Sequence, residues 1–213
     1  TIGGKMEKVV VLESNNYIYK DKVYEYSELN SLISKLGKSL KIFILKENIF
    51  IRRFNLEEKY LDKFIKDTIR REAEIDCNLL FHYEYSKHNK ILYVYSLKKG
   101  EQIKKLAANV TKLSVIPIQF FINNLIEKKG KDNEELIIMA KIKNIVYVVV
   151  REKGQIVQNY FMTMAKFDFL KEASLFESSK RIIVDNALNT YIPKEAFTEY
   201  NIAFRKIGEN FNG

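Results

Sequence analysis

The chain has 213 residues, 46% hydrophobic and 13% aromatic, with only 2 prolines and 8 glycines. That composition excludes wholesale disorder and points to regular elements with short connections, in one large domain or two small ones. The net charge of +9 is spread along the chain, with 19 Lys+Arg against 14 Asp+Glu in residues 1–100 and 17 against 13 beyond, so a dedicated nucleic-acid surface is not expected.

The first five residues, Thr1-Ile2-Gly3-Gly4-Lys5, precede Met6 and look like a cloning remnant, so they are set aside. Lys8 to Glu13 reads as an apolar strand. Ile18-Tyr19 and Val23-Tyr24 flank a polar Lys20-Asp21-Lys22 and predict a small hairpin. Ser27 is placed to cap a helix carrying Leu29, Leu32, Ile33 and Leu36, which Gly37 ends. Leu40 to Leu45 and Ile49 to Phe54 predict strands around the turn Lys46-Glu47-Asn48.

The clearest helix spans about Glu57 to Ile75, with Asn55 as its expected cap. Leu61, Ile65 and Ile69 stand four apart, joined by Phe64 and Ala73, so one face is apolar. Asp62–Lys66 and Asp67–Arg71 are acid-before-base pairs that support the exposed face. Leu80 to Tyr85 and Ile91 to Leu97 then predict a hairpin across Lys87-His88-Asn89-Lys90. A helix from Glu101 to Leu113, a short strand to Ile116 and a helix from Ile118 to Lys128 follow.

Gly130-Lys131-Asp132-Asn133 is the expected boundary between N-terminal subdomains, 6–129, and a C-terminal sheet-and-helix subdomain, 130–213. Beyond it, Leu136–Lys141, Asn144–Val150 and Gln155–Phe161 predict a three-stranded meander. A helix around Phe167 to Phe176 and strands at Arg181–Val184 and Asn201–Ile207 close the chain. Meanders mixed with helices give an α/β class. The longest apolar run, Ile145 to Val150, is far short of the ~18 residues that a membrane-spanning helix needs.

Little in the sequence asks for chemistry. His82 alternates with Phe81 and Tyr83 in a strand and His88 sits in a turn, without the third and fourth ligands of a metal site. Cys77 is the only cysteine, which rules out an intrachain disulfide and a cysteine metal cluster and fits a reducing compartment. It reads as a buried or incidental thiol with no histidine placed to activate it. Glu57-Glu58 fits a helix start, where negative charge is favoured, better than an acid–base pair, and Glu134-Glu135 points its carboxylates apart. Neither GxGxxG nor GxxxxGK[ST] occurs. No catalytic residue, metal or cofactor is expected.

One stretch carries a family resemblance. Ile49-Phe50-Ile51-Arg52-Arg53-Phe54-Asn55-Leu56 leads into a helix ending Ile69-Arg70-Arg71-Glu72-Ala73-Glu74-Ile75. Paired strands and a helix beginning Lys98-Lys99-Gly100-Glu101 follow, and Ser114-Val115-Ile116-Pro117-Ile118-Gln119-Phe120 passes from strand to helix. This order resembles the PilM and GspL-type proteins of type IV pili and type II secretion systems, over about Leu40 to Phe161. The resemblance implies a degenerate actin-like (ribonuclease H-like) α/β fold of mixed sheets in two or three small subdomains. It also implies a non-catalytic cytoplasmic scaffold beside the inner membrane, with the assembly ATPase and a PilN-like inner-membrane protein as partners; a homodimer is compatible with it.

Actin-like ATPases place Asp and Gly at two strand turns, so that backbone N–H groups approach phosphate. Here the first reads Val10-Val11-Leu12-Glu13-Ser14-Asn15-Asn16 and the second Ile138-Met139-Ala140-Lys141-Ile142-Lys143-Asn144, both without glycine. No Gly-Gly segment follows Ile183-Val184-Asp185-Asn186. A protein-binding copy of the fold is therefore favoured over an actin-like ATPase, with a basic nucleic-acid-binding domain as the third reading. Four of the seven arginines lie around the long helix, at Arg52, Arg53, Arg70 and Arg71. With Glu72 they form the candidate partner-binding set, the two pairs roughly 20 Å apart along the helix. Arg52-Arg53 reads equally as charge that protects an edge strand.

Overall fold

The computed structural model describes residues 7–127, 135–176 and 180–211. Contacts divide the chain between Pro117 and Ile118 into two compact units. The boundary expected at Gly130–Asn133 and the remnant at residues 1–5 lie outside the described residues.

The first unit opens with β1 (Lys8–Glu13), β2 (Asn16–Tyr19) and β3 (Lys22–Tyr24), an antiparallel meander. Lys20 and Asp21, both at positive φ, turn β2 into β3 in the sense that suits strand twist. After a short helix α1 (Leu29–Ile33), β4 (Ser39–Leu45) lies parallel to β1. The last strand of the unit, β8 (Lys112–Pro117), lies parallel to β4 and completes the order β3-β2-β1-β4-β8. Val10, Val11, Leu12, Ile42 and Ile44 are all buried, because both faces of β1 and β4 are covered. Ser27 does not cap α1; the backbone N–H of Glu25 donates to the Glu28 carboxylate at 3.0 Å, and a 3-10 turn leads into the helix.

Between β4 and β8 a second sheet is inserted. β5 (Phe50–Asn55), β7 (Ile91–Lys98) and β6 (Leu79–Ser86) pair antiparallel in the order β5-β7-β6. Helix α2 (Leu61–Ile75) covers one face of this sheet: Ile65 packs with Leu92 and Val94, and Leu61, Phe64 and Ile69 fill in around them. Asn55 is the last residue of β5 and not a cap; a 3-10 turn at Glu58–Tyr60 starts the helix instead. Helix α3 (Gly100–Leu106) is shorter than expected, ending seven residues before Leu113. Its start is fixed from a distance, because the Asn78 side chain accepts from the Glu101 N–H at 2.9 Å. The Asn78 carbonyl accepts from Gly100, so close that a Cβ there would stand 2.9 Å from that oxygen.

The second unit begins with α4 (Ile118–Glu127), which packs on the meander β9 (Leu136–Ile142), β10 (Ile145–Glu152) and β11 (Gln155–Thr163). A short α5 (Phe169–Ala173), the strand β12 (Arg181–Asp185), a 3-10 segment at Asn186–Tyr191, α6 (Ala196–Glu199) and β13 (Asn201–Arg205) follow. The sheet order is β11-β10-β9-β12-β13, with β12 parallel to both β9 and β13. Its core joins Met139, Val146 and Val148 to Phe169 and Leu188. Both units thus build the same five-stranded sheet: three meander strands, then two more parallel to the first. No helix among the described residues is long and apolar enough to cross a membrane.

Candidate functional site

The arginine set lies on β5 and α2. Strand alternation sends Arg52 and Arg53 to opposite faces of the three-stranded sheet: Arg52 stands level with Val94, on the α2 side, and Arg53 level with Tyr93, on the other. The Arg52 Nη1 donates to the Glu72 carboxylate of α2 at 2.6 Å, and its guanidinium lies 6.0 Å from the Phe54 ring. On the exposed side of α2, Arg70 Nε donates to Glu74 at 3.2 Å, and Arg71 Nε donates to the Asp67 carbonyl oxygen at 3.3 Å. Asp67, Arg70, Arg71 and Glu74 line a shallow open depression. The structure therefore brings Arg52 and Glu72 together, sets Arg70 and Arg71 side by side on an exposed helix face, and turns Arg53 away.

Of the two strand turns at which an actin-like ATPase would hold phosphate, the first is occupied by side chains. At the first, Ser14-Asn15 makes a two-residue hairpin between β1 and β2, with Ser14 at positive φ. Lys99 reaches into it, its Nζ donating to the Ser14 carbonyl oxygen and pairing with Glu47, both at 2.8 Å. The Lys99 side chain is only 12% exposed. Beside it Lys46 pairs with Glu13. Each lysine here already has a carboxylate, and Lys99 also donates to the Ser14 carbonyl oxygen, so the turn presents internally paired charges where a phosphate loop offers backbone N–H groups.

At the second, Lys143-Asn144 turns β9 into β10, with Lys143 at positive φ. The polar centre nearby is Asp185, at the end of β12 and fully buried. It accepts from four backbone N–H groups: Gly208 at 2.8 Å, Lys141 at 3.1 Å, Ile207 at 3.3 Å and Ala187 at 3.4 Å. Gly208 must be glycine, since a Cβ there would overlap the Lys141 carbonyl oxygen. Asp185 therefore pins the segment after β13 across the end of the sheet. Sequence reading passed over this centre; its one signal was an acidic residue ending an apolar strand.

The remaining candidates have structural roles. His82 stacks on Tyr95 and lies 3.2 Å from Glu84, and His88 is in the β6–β7 turn. Cys77, expected to be buried or incidental, is exposed in the turn after α2. Among the described residues no group of three or more His, Cys, Asp and Glu side chains could hold a metal. Tyr160 donates to the buried Glu172 at 2.7 Å, and burial followed by that hydrogen bond pushes its phenol well above the usual tyrosine range.

No family model matches the chain, and no curated protein matches it in sequence. Solved structures do match in fold. A Bacteroides thetaiotaomicron protein with actin-like ATPase fold and unknown function aligns over 93% of this chain and 90% of its own, at 10% identity and a TM-score of 0.51. A chain of the PilM–PilN type IV pilus biogenesis complex aligns over 94% and 88%, at 8% identity and a TM-score of 0.53. The cytoplasmic domain of EpsL, an inner membrane component of the type II secretion system of Vibrio cholerae, aligns over 83% and 79%, at 9% identity and a TM-score of 0.49. The fold is actin-like, as the repeated five-stranded sheet of the two units indicates and the first two structures confirm.

Proposed function

We propose that this actin-like chain is a non-catalytic scaffold of a type IV pilus or type II secretion assembly platform. In this reading it lies in the cytoplasm beside the inner membrane and binds a PilN-like protein and the assembly ATPase. The observation that carries the reading is the filling of the first strand turn by Lys99, Glu47, Lys46 and Glu13. An actin-like fold that has given up its first phosphate cradle keeps its surfaces for other proteins. The sequence resemblance to PilM and GspL-type proteins and the fold shared with a chain of the PilM–PilN complex support the choice of partner. The exposed face of α2 around Arg70 and Arg71 is the contact surface proposed within this reading, since paired guanidinium groups suit carboxylate and amide groups of a peptide.

The test is calorimetric titration of the full chain with the cytoplasmic segment of a PilN-like protein and, separately, with the N-terminal domain of the assembly ATPase. Saturable binding of either, with a Kd of about 10 µM or tighter, is expected. Failure of both to bind at about 100 µM, with Mg-ATP binding in their place, would overturn the reading.

A further inference from the structure

Among the described residues β6 is an outer strand of its sheet, paired on one side only, with β7. Its register with β7 runs without a bulge from Leu79 to Ser86. Edge strands usually block further pairing with lysine, arginine, proline or a bulge. The opposite edge, β5, carries Arg52-Arg53, whereas Leu79–Ser86 has no lysine, arginine, proline or bulge and one charged residue, Glu84, which self-pairing about Tyr83 sets against His82. On the α2 side, Phe81, Tyr83 and Tyr85 form a row level with Ser96, Val94 and Leu92, and Tyr83 is 49% exposed. On the other side His82 and Glu84 stand level with Tyr95 and Tyr93. Where this row meets α2, a narrow notch is lined by Thr68, Ile69, Phe81 and Tyr83. Thr68 is 5% exposed there, and its hydroxyl has no hydrogen-bond partner among the described residues.

We propose that β6 is a dimer edge, at which two copies of this chain pair antiparallel through Leu80–Ser86 about a two-fold axis at Tyr83. The two three-stranded sheets then become one sheet of six strands. A two-fold axis normal to a sheet keeps every residue on its own face, so odd residues meet odd and even meet even. Centred on Tyr83, the pairing sets Phe81 against Tyr85 twice and Tyr83 against itself on the α2 side. On the other face it sets His82 against Glu84 twice. Aromatic cross-strand pairs stabilise a sheet, and an imidazole N–H can donate to a carboxylate opposite it. Centred on His82, the strand would set Leu80 against Glu84 and imidazole against imidazole. β5 cannot pair in this way, because either centre within Arg52-Arg53 sets an arginine against itself. The match of β6 to its own reverse is the reason for assigning a second copy to this edge rather than a strand of another protein.

This inference does not rest on the assembly-platform reading. Sedimentation of the full chain from about 5 to about 500 µM should show a reversible dimer, weakened at least ~10-fold by Tyr83→Lys. In a Cys77→Ser background, Tyr83→Cys should form a disulfide-linked dimer under mild oxidation, since directly opposed residues lie within disulfide reach. Ser86→Cys, which would face Leu80 of the second copy, should not. A chain monomeric throughout, or a dimer indifferent to Tyr83→Lys, would overturn the proposal, as would self-linking at His82→Cys but not at Tyr83→Cys.

Discussion

Arg52 on β5 and Glu72 on α2 are joined by a 2.6 Å charged hydrogen bond, so two members of the expected partner-binding set already engage each other within the chain. That bond ties the strand to the helix that covers it. Both side chains are partly exposed, at 39% and 27%, so solvent screening holds the pair to roughly 0.5–1 kcal/mol. Arg52→Ser should lower Tm by a few degrees. Arg70→Ser with Arg71→Ser, on the open face of α2, should leave stability within about 0.5 kcal/mol. The same double variant should weaken partner binding by ~10-fold, about 1.4 kcal/mol. Unchanged titration curves for both partners would remove this helix face from the contact surface.

Asp185 and Gly208 close the second unit. Asp185→Ala would leave four backbone N–H groups without their acceptor, at about 1–3 kcal/mol for each one that stays buried. A loss of more than about 3 kcal/mol in denaturant unfolding is expected. Gly208→Ala should also destabilise, because the new Cβ meets backbone that cannot swing aside. A Gly208→Ala variant that unfolds like the parent would show that the closure is not tight.

Most of the strands and the long helix were legible because their patterns are local. Ile137 to Ile142 and Ile145 to Val150 are apolar runs bounded by a turn, and α2 keeps an apolar stripe through Leu61, Ile65 and Ile69. What periodicity cannot give is pairing. β4 and β5 are consecutive, yet they belong to different sheets. The start of α3 depends on Asn78, and the Asp185 centre depends on Gly208, each partner more than twenty residues away. The arginine set was legible as a concentration of one residue type, and the opposite facing of Arg52 and Arg53 follows from strand alternation, but which of the two meets α2 follows only from the packing of β5 and α2. The doubled sheet left no repeat in the sequence, because the two units share topology while differing in residues and in the inserted second sheet.

Burial along α2 is uneven and should be reflected in the mutants. Ile65 is 8% exposed and packs on Leu92 and Val94, so Ile65→Ala should cost about 2–5 kcal/mol. Ile69 is only partly buried at the rim of the same cluster, and Ile69→Ala should cost less. Equal losses in urea unfolding would mean that the helix packs differently.

Tyr17 is fully buried, and its hydroxyl has no hydrogen-bond partner among the described residues. Tyr17→Phe removes a desolvated polar group without opening a large cavity and should raise stability by about 1 kcal/mol at pH 7. Burial also pushes the Tyr17 phenol upward, as it does that of Tyr160. The folded chain thus holds these protons more tightly than the unfolded chain, whose tyrosines ionise near pH ~10. The stability they contribute is complete below that pH and falls as pH rises through the folded values. Urea midpoints measured from about pH 8 to about pH 11 should decline, and less steeply in Tyr17→Phe. A decline of equal slope in that variant would argue against a buried, tightly protonated Tyr17.

The account turns on whether an actin-like fold with Lys99, Glu47, Lys46 and Glu13 packed into its first strand turn still takes nucleotide. Thermal melting of the full chain with and without about 5 mM Mg-ATP decides this most directly, because a ligand at 100 times its Kd adds ~2.7 kcal/mol to stability. The account predicts superimposable melting curves. An upward shift of several degrees, abolished when ATP is replaced by magnesium alone, would contradict it.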